Sequence, residues 1–136
     1  MITNEQITEN FSYKELCCKG SKDSCGGCNS LPITDLLFYH MDKLQRLRTT
    51  LGAPLRITSG HRCERHNRSV GGAPNSMHLH IATDVQPFEE REEILKDVEK
   101  IASEMTFGGI GLYNSFVHLD SREFIGREIA RWNNQT

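Results

Sequence analysis

The sequence predicts an α+β fold: two longer helices and three or four short strands in a small antiparallel sheet. Three observations carry that prediction. Stretches 35–51 and 89–105 repeat apolar residues at helical spacing. Four short apolar runs are bounded by Gly, Pro, Ser or Asn. The chain has 136 residues, 37% of them hydrophobic and 25% charged, which suits a single domain over 1–136 better than two with thin cores.

The elements follow in chain order. Residues 11–16 form a short helix, with Ser12 as N-cap and Glu15 three residues on, a capping-box pattern. Residues 17–30, CCKGSKDSCGGCNS, read as a Cys-rich loop. The first long helix is capped by Thr34 or Asp35. It places Leu37, Met41, Leu44 and Leu51 on one stripe, widened by Leu36, His40 and Leu47, and stops at Gly52 and Pro54. Leu55–Thr58 is a strand, broken by Ser59-Gly60. Residues 63–70 make one or two helical turns before Gly71-Gly72. Residues 73–76 are loop, and Ile81–Val85 is a second strand closed by Pro87. The second long helix, 89–105, turns Ile94, Val98, Ile101 and Met105 inward. Gly109–Tyr113 and Ser115–Leu119 are two further strands around a turn at Asn114. In the last stretch Arg122, Arg127 and Arg131 are balanced by Glu123 and Glu128, a pattern of a solvated face. Trp132 either closes the core or covers a cleft.

Composition excludes several functions. A formal net charge of −2 argues against a binder of nucleic-acid backbone. No run approaches the roughly 18 apolar residues of a membrane span, so no membrane insertion is expected. The polar start MITNEQITENF lacks the basic and apolar regions of a signal peptide. The expected location is the cytoplasm of the producing cell, where thiols stay reduced. Six histidines and five cysteines are many ligand-capable groups for this length.

Two neutral imidazoles and one carboxylate suffice for a catalytic zinc. They leave the ion a net positive charge, with which it acidifies water and polarises a carbonyl. The segments Ser76-Met77-His78-Leu79-His80-Ile81-Ala82-Thr83-Asp84 and Phe116-Val117-His118-Leu119-Asp120 hold such groups. The motifs Ser59-Gly60-His61-Arg62, His66-Asn67, Val70-Gly71-Gly72-Ala73, Ser76-Met77-His78, Ala82-Thr83-Asp84, Gly108-Gly109-Ile110-Gly111-Leu112-Tyr113 and Phe116-Val117-His118-Leu119-Asp120 occur in that order. Together they resemble the M15 family of zinc peptidases, in particular small phage and bacterial members similar to D-alanyl-D-alanine carboxypeptidases. The resemblance covers nearly the whole chain.

That resemblance implies a zinc D-Ala-D-Ala carboxypeptidase-like, hedgehog-type fold. It implies one catalytic Zn2+ held by His78, Asp84 and His118, with Arg62 gripping a carboxylate or carbonyl of the peptide and Ser76 at the substrate. Asp120 shares a strand face with His118. It is a candidate to accept a proton from the activated water or to orient a ligand. The acidic base that some branches place three residues before the last ligand is Ser115 here. The implied activity is hydrolysis of peptide bonds in peptidoglycan stem peptides, as carboxypeptidase or endopeptidase, by a monomer. If phage-encoded, it would act as an endolysin on the cell wall after release. The alternative is a non-catalytic, zinc-stabilised wall-binding or virion structural module.

Two features depart from the family pattern. His61 stands where Tyr is usual. The run from His78 to Asp84 lacks a glycine and is one residue short. Fully extended it would span roughly 20 Å, too far for both to reach one ion, so the segment must fold back. His80 shares strand parity with Asp84 and is the alternative ligand.

The cysteine loop contains one C-x-x-C. A second, structural zinc held by Cys17 or Cys18 with Cys25, Cys28 and Cys63 is one reading. A loop of reduced thiols, with Cys63 packed as a small hydrophobe, is the other. His66 and His40 read as structural.

Overall fold

The computed structural model describes residues 5–89 and 92–136. Residues 1–4 of the polar N-terminus and residues 90 and 91 of the second expected helix lie outside the described residues. The elements are α1 (Tyr13–Leu16), α2 (Lys22–Cys25), α3 (Asp35–Leu51), β1 (Leu55–Ser59), α4 (Glu64–Ser69), β2 (Ala82–Pro87), α5 (Glu92–Glu104), β3 (Gly109–Leu112), β4 (Val117–Asp120) and β5 (Ala130–Asn133). Single 3₁₀ turns cover Met77–Leu79 and Arg122–Ile125. No helix among the described residues is long and apolar enough to cross a membrane.

The five strands form one sheet in the order β1-β2-β4-β3-β5. Its inner pairings are antiparallel, as expected, but β5 runs parallel to β3. The sheet is therefore mixed, and the C-terminal stretch read as a solvated face supplies an edge strand. Its short length and alternating half-exposed and exposed residues hide it from an apolar-run criterion.

The helices begin where their caps dictate. The Ser12 hydroxyl accepts from Glu15 N–H and Glu15 reaches back to Ser12 N–H at 2.8 Å, closing the capping box. Thr34 Oγ1 accepts from Leu37 N–H at 3.1 Å and settles the start of α3. Gly52, at φ 70°, ends that helix. Leu37, Met41 and Leu44 of the α3 stripe are buried together with the flanking Leu47, while Leu51 is half-buried; on α5 Val98 is buried with Leu95 and Ala102, and Ile94, Ile101 and Met105 pack half-buried against that core. These helices pack on one sheet face against Val85, Ile110, Val117 and Leu119.

Alternation along the strands sends the remaining side chains to the other face. There Asp84 lies opposite His118, and Asp120 opposite Gly109. The apolar core thus supports a polar face built from the same strands.

Two glycines on β3 open that face. A Cβ on Gly109 would collide with the Asp120 carboxylate, and one on Gly111 with the Trp132 indole.

Candidate active site

The fold brings His78, Asp84 and His118 to one point. Their ligand-capable atoms all lie within 4.8 Å of one another, and all three residues are buried. Asp84 Oδ1 is 3.3 Å from His78 Nε2 and 3.1 Å from His118 Nδ1.

The short His78–Asp84 segment folds back without a glycine. Residues 77–79 wind into a 3₁₀ turn capped by Ser76, whose hydroxyl accepts from His78 N–H at 3.1 Å. His80 then redirects the chain at φ −96° and ψ −93°, and β2 begins two residues later. All of this stays at negative φ, so no glycine is required. The same bend leaves the His80 side chain exposed and outside the cluster. His80 contributes its carbonyl to His61 Nδ1 at 3.0 Å, and the structure groups His78, not His80, with the carboxylate.

Each imidazole is held from behind. His78 Nδ1 donates to Gly60 O at 2.7 Å. His118 Nε2 donates to Asp120 Oδ2 at 2.7 Å. The network therefore assigns the tautomers: His78 Nε2 and His118 Nδ1 present lone pairs to the Asp84 carboxylate. Three electron-pair donors facing one point repel unless a cation or proton lies between them. Four-coordinate zinc with bonds near 2.0–2.1 Å sets its ligands about 3.3 Å apart, and the 3.1 and 3.3 Å separations fit that spacing.

The electrostatics agree with a cation site. Burial works against a charged Asp84, but the close contacts with the His118 and His78 rings outweigh it and hold the carboxyl well below the usual range. Burial likewise disfavours a protonated His118, yet the Asp120 and Asp84 carboxylates raise its proton affinity.

Asp120 stands behind His118. It is fully buried, and its carboxylate accepts from His118 Nε2, from Arg122 N–H at 3.1 Å, and from Arg122 Nε and Nη2 at 2.9 and 2.8 Å. Burial would raise its pKa, but Arg122 and His118 hold it well below the usual range. A carboxylate so occupied, on the far side of the ring from Asp84, is placed to orient His118, the ligand-orienting one of the two roles read from the sequence. Arg122 is the member of the site that sequence reasoning missed. Its pairing with Asp120 takes it out of the solvated face, and the only sequence signal was an Arg two residues after an acidic residue.

A cleft of about 490 Å³ opens over the cluster, within the range of ligand sites. Arg62, Ser76, Tyr113, Phe116, Arg127 and Trp132 line it. Arg62 Nη1 donates to Asn67 Oδ1 at 3.3 Å, and buried Asn67 is itself anchored on Ala73 O. Trp132 covers the cleft instead of closing the core. Its ring centroid is 5.0 Å from that of His118, and its Nε1 donates to Tyr113 OH. Asp84 is the one carboxylate among the described residues lining this cleft. A larger depression of about 690 Å³ near Gln86, Leu95 and Asn114 has no His, Cys or Arg in its lining.

The thiols form a second group. Cys18, Cys25, Cys28 and Cys63 place their sulfurs within 4.8 Å of one another. Of the two neighbours offered by the sequence, Cys18 is in the group and Cys17 is not. At the end of α1 its Sγ turns back to Tyr13 O at 3.2 Å, and the next residue faces the loop. His66 serves this region, with Nδ1 3.3 Å from Ser24 Oγ. His40 is fully buried between Ser121 Oγ and Thr83 Oγ1, at 2.7 and 3.0 Å.

In comparisons with known proteins, a family model described as Peptidase M15 matches residues 9–120. No curated protein matches the chain.

Proposed function

The chain belongs to the M15 peptidase family, and from that premise we propose that it is a zinc-dependent peptidase acting on peptidoglycan stem peptides. One observation carries the metal: His78 Nε2, Asp84 Oδ1 and His118 Nδ1 converge with both rings tied outward. These three residues would hold the ion, which supplies a polarised carbonyl and an acidified water when bound.

The remaining roles belong to the chain's own groups. Gly60 O and Asp120 fix the two rings, so little reorganisation accompanies the reaction. Arg62 and Arg127 place two guanidinium groups on the cleft. A peptide ending in a carboxylate suits them, because the guanidinium fork matches that group. Asn67 and the Ala73 carbonyl hold Arg62 in its orientation. Tyr113 OH accepts from Trp132, which leaves its own proton to donate to a substrate carbonyl. Trp132 and Phe116 give the cleft apolar walls that exclude water from the scissile bond.

The cationic lining favours cleavage near a free C-terminus. Mass analysis of a stem pentapeptide incubated with zinc-loaded protein tests this. Release of the terminal amino acid is expected. An untouched pentapeptide alongside cleaved cross-linked dimers would instead assign an endopeptidase. If the protein is phage-encoded, the same chemistry makes it a wall-degrading endolysin.

A further inference from the structure

We propose that Cys18, Cys25, Cys28 and Cys63 form a second metal site, a structural zinc distinct from the histidine cluster. It stands whether or not the histidine site hydrolyses peptides.

The first support is geometric. Four thiols from three separate stretches meet with every sulfur pair within 4.8 Å. A tetrahedral zinc with bonds near 2.3 Å sets its sulfurs about 3.8 Å apart. Cys25 Sγ and Cys28 Sγ are 3.6 Å apart, close to that spacing and far from the roughly 2.05 Å of a disulfide. All five cysteines are unpaired. A dithiol redox pair would account for Cys25 and Cys28 but not for the convergence of Cys18 and Cys63. Four soft thiolates in a tetrahedral set select zinc over harder cations such as Mg2+ or Ca2+.

The second support is the loop itself. Between Leu16 and Leu31 the only residues other than cysteine are Lys, Gly, Ser, Asp and Asn. This segment has no aliphatic or aromatic side chain with which to build a core, and small unsupported loops need a staple. Even so it is ordered around the sulfurs. Ser21 caps α2 by accepting from Ser24 N–H at 3.2 Å. Gly26 and Gly27 at φ 76° and 62°, followed by Asn29 at 48°, curl the chain so that Cys28 returns to Cys25. Gly20 leaves the space next to them, since a Cβ there would collide with Cys25 Sγ. Cys18 N–H is anchored to Ser30 O at 2.8 Å, and Cys63 Sγ accepts from His66 N–H at 3.4 Å.

The consequence reaches the histidine cluster. Cys18 and Cys63 flank two contacts that clamp the strand exit. His61 N–H donates to Leu16 O at 2.8 Å, and Arg62 N–H donates to His78 O at 2.7 Å. Gly60, whose carbonyl holds His78, sits so close to Leu16 that a Cβ would strike its backbone. A metal joining Cys18 to Cys63 staples residues 16–18 to residues 60–63, and so holds the carbonyl that orients His78.

The test uses the full chain purified under metal-replete, non-reducing conditions. Elemental analysis is expected to find two zinc ions per chain, falling to one in His118→Ala and to one in Cys28→Ser. Cobalt-loaded His118→Ala is expected to keep the near-ultraviolet sulfur-to-cobalt charge-transfer band, and Cys28→Ser to lose it. Thiol-reagent titration of unmutated, folded protein covers the case in which a variant misfolds. Four thiols are expected to react only after chelation. The proposal is overturned if the His118→Ala chain shows no such band. It is also overturned if the native thiols react equally fast with and without chelator, or if peptide mapping finds a Cys25–Cys28 disulfide.

Discussion

Replacing Asp120 by Asn separates a positioning group from a catalytic base. The native carboxylate accepts four hydrogen bonds: one from His118 Nε2 and three from Arg122. Asn has nearly the same shape but a single acceptor oxygen. With that oxygen turned to His118, the NH2 group faces the Arg122 donors. With it turned to Arg122, the NH2 group faces His118 Nε2 and drives the ring to the wrong tautomer for a metal at Nδ1. Either orientation leaves donors opposed in a fully buried place, which costs about 1–3 kcal/mol of stability. Loss of the partner behind a metal-bound His typically weakens metal affinity about 10–100-fold, or about 1.4–2.8 kcal/mol. Chelator competition measures that affinity directly. Trp132 is the chain's single tryptophan and its ring lies tilted beside His118, so its fluorescence follows occupancy of this site. Asp120→Asn protein with unchanged zinc affinity but abolished hydrolysis would refute the positioning role and return Asp120 to the proton-transfer step.

Three further predictions follow from the same contacts. Gly111→Ala pushes a methyl into the Trp132 indole. Overpacking of this kind costs about 1–3 kcal/mol, and half-exposed Trp132 relieves it by swinging outward, so a lower Tm with a red-shifted Trp emission is expected. His40 is wholly buried, and burial lowers its pKa from 6.5 to about 4, with Asp120, His118, Glu123 and Lys43 as charged or titratable neighbours. Between those values the unfolded chain takes up a proton that the folded chain refuses. Stability therefore falls as pH drops through this window, by about 3 kcal/mol in all; denaturant titrations of His40→Gln, whose amide can still bridge Ser121 and Thr83, should show a flatter acid limb. The raised proton affinity of His118 means that protons compete with metal at Nδ1, so zinc affinity should fall as pH is lowered; affinity independent of pH would place the metal on other atoms.

Much of the candidate site was legible because its chemistry is local in sequence. His118 and Asp120 sit two apart on a strand, and parity alone puts them on one face. The caps at Ser12 and Thr34 announce their helices by side-chain type. What stayed hidden depends on tertiary context. The register that places Gly109 against Asp120 and Gly111 against Trp132 cannot be read from glycine spacing. β5 gains its place by parallel pairing to a strand some twenty residues earlier. Arg122 looks like any surface arginine until the chain turns after β4. The choice between Cys17 and Cys18 rests on how α1 ends, where one residue turns its sulfur back to the helix and its neighbour faces the thiols.

The most direct test of the central claim measures zinc content and peptide-bond cleavage on the same samples. The protein is chelated, then restored with zinc, and each state is incubated with purified peptidoglycan beside His118→Ala. New amino termini or free terminal amino acids are scored by mass spectrometry. The account predicts cleavage by the zinc-restored protein alone. The chelated protein and His118→Ala should both be silent, while His118→Ala retains the thiolate-bound ion. Zinc-restored protein with a filled histidine site and no cleavage product would contradict a peptidase acting on the wall and favour a metal-stabilised wall-binding module.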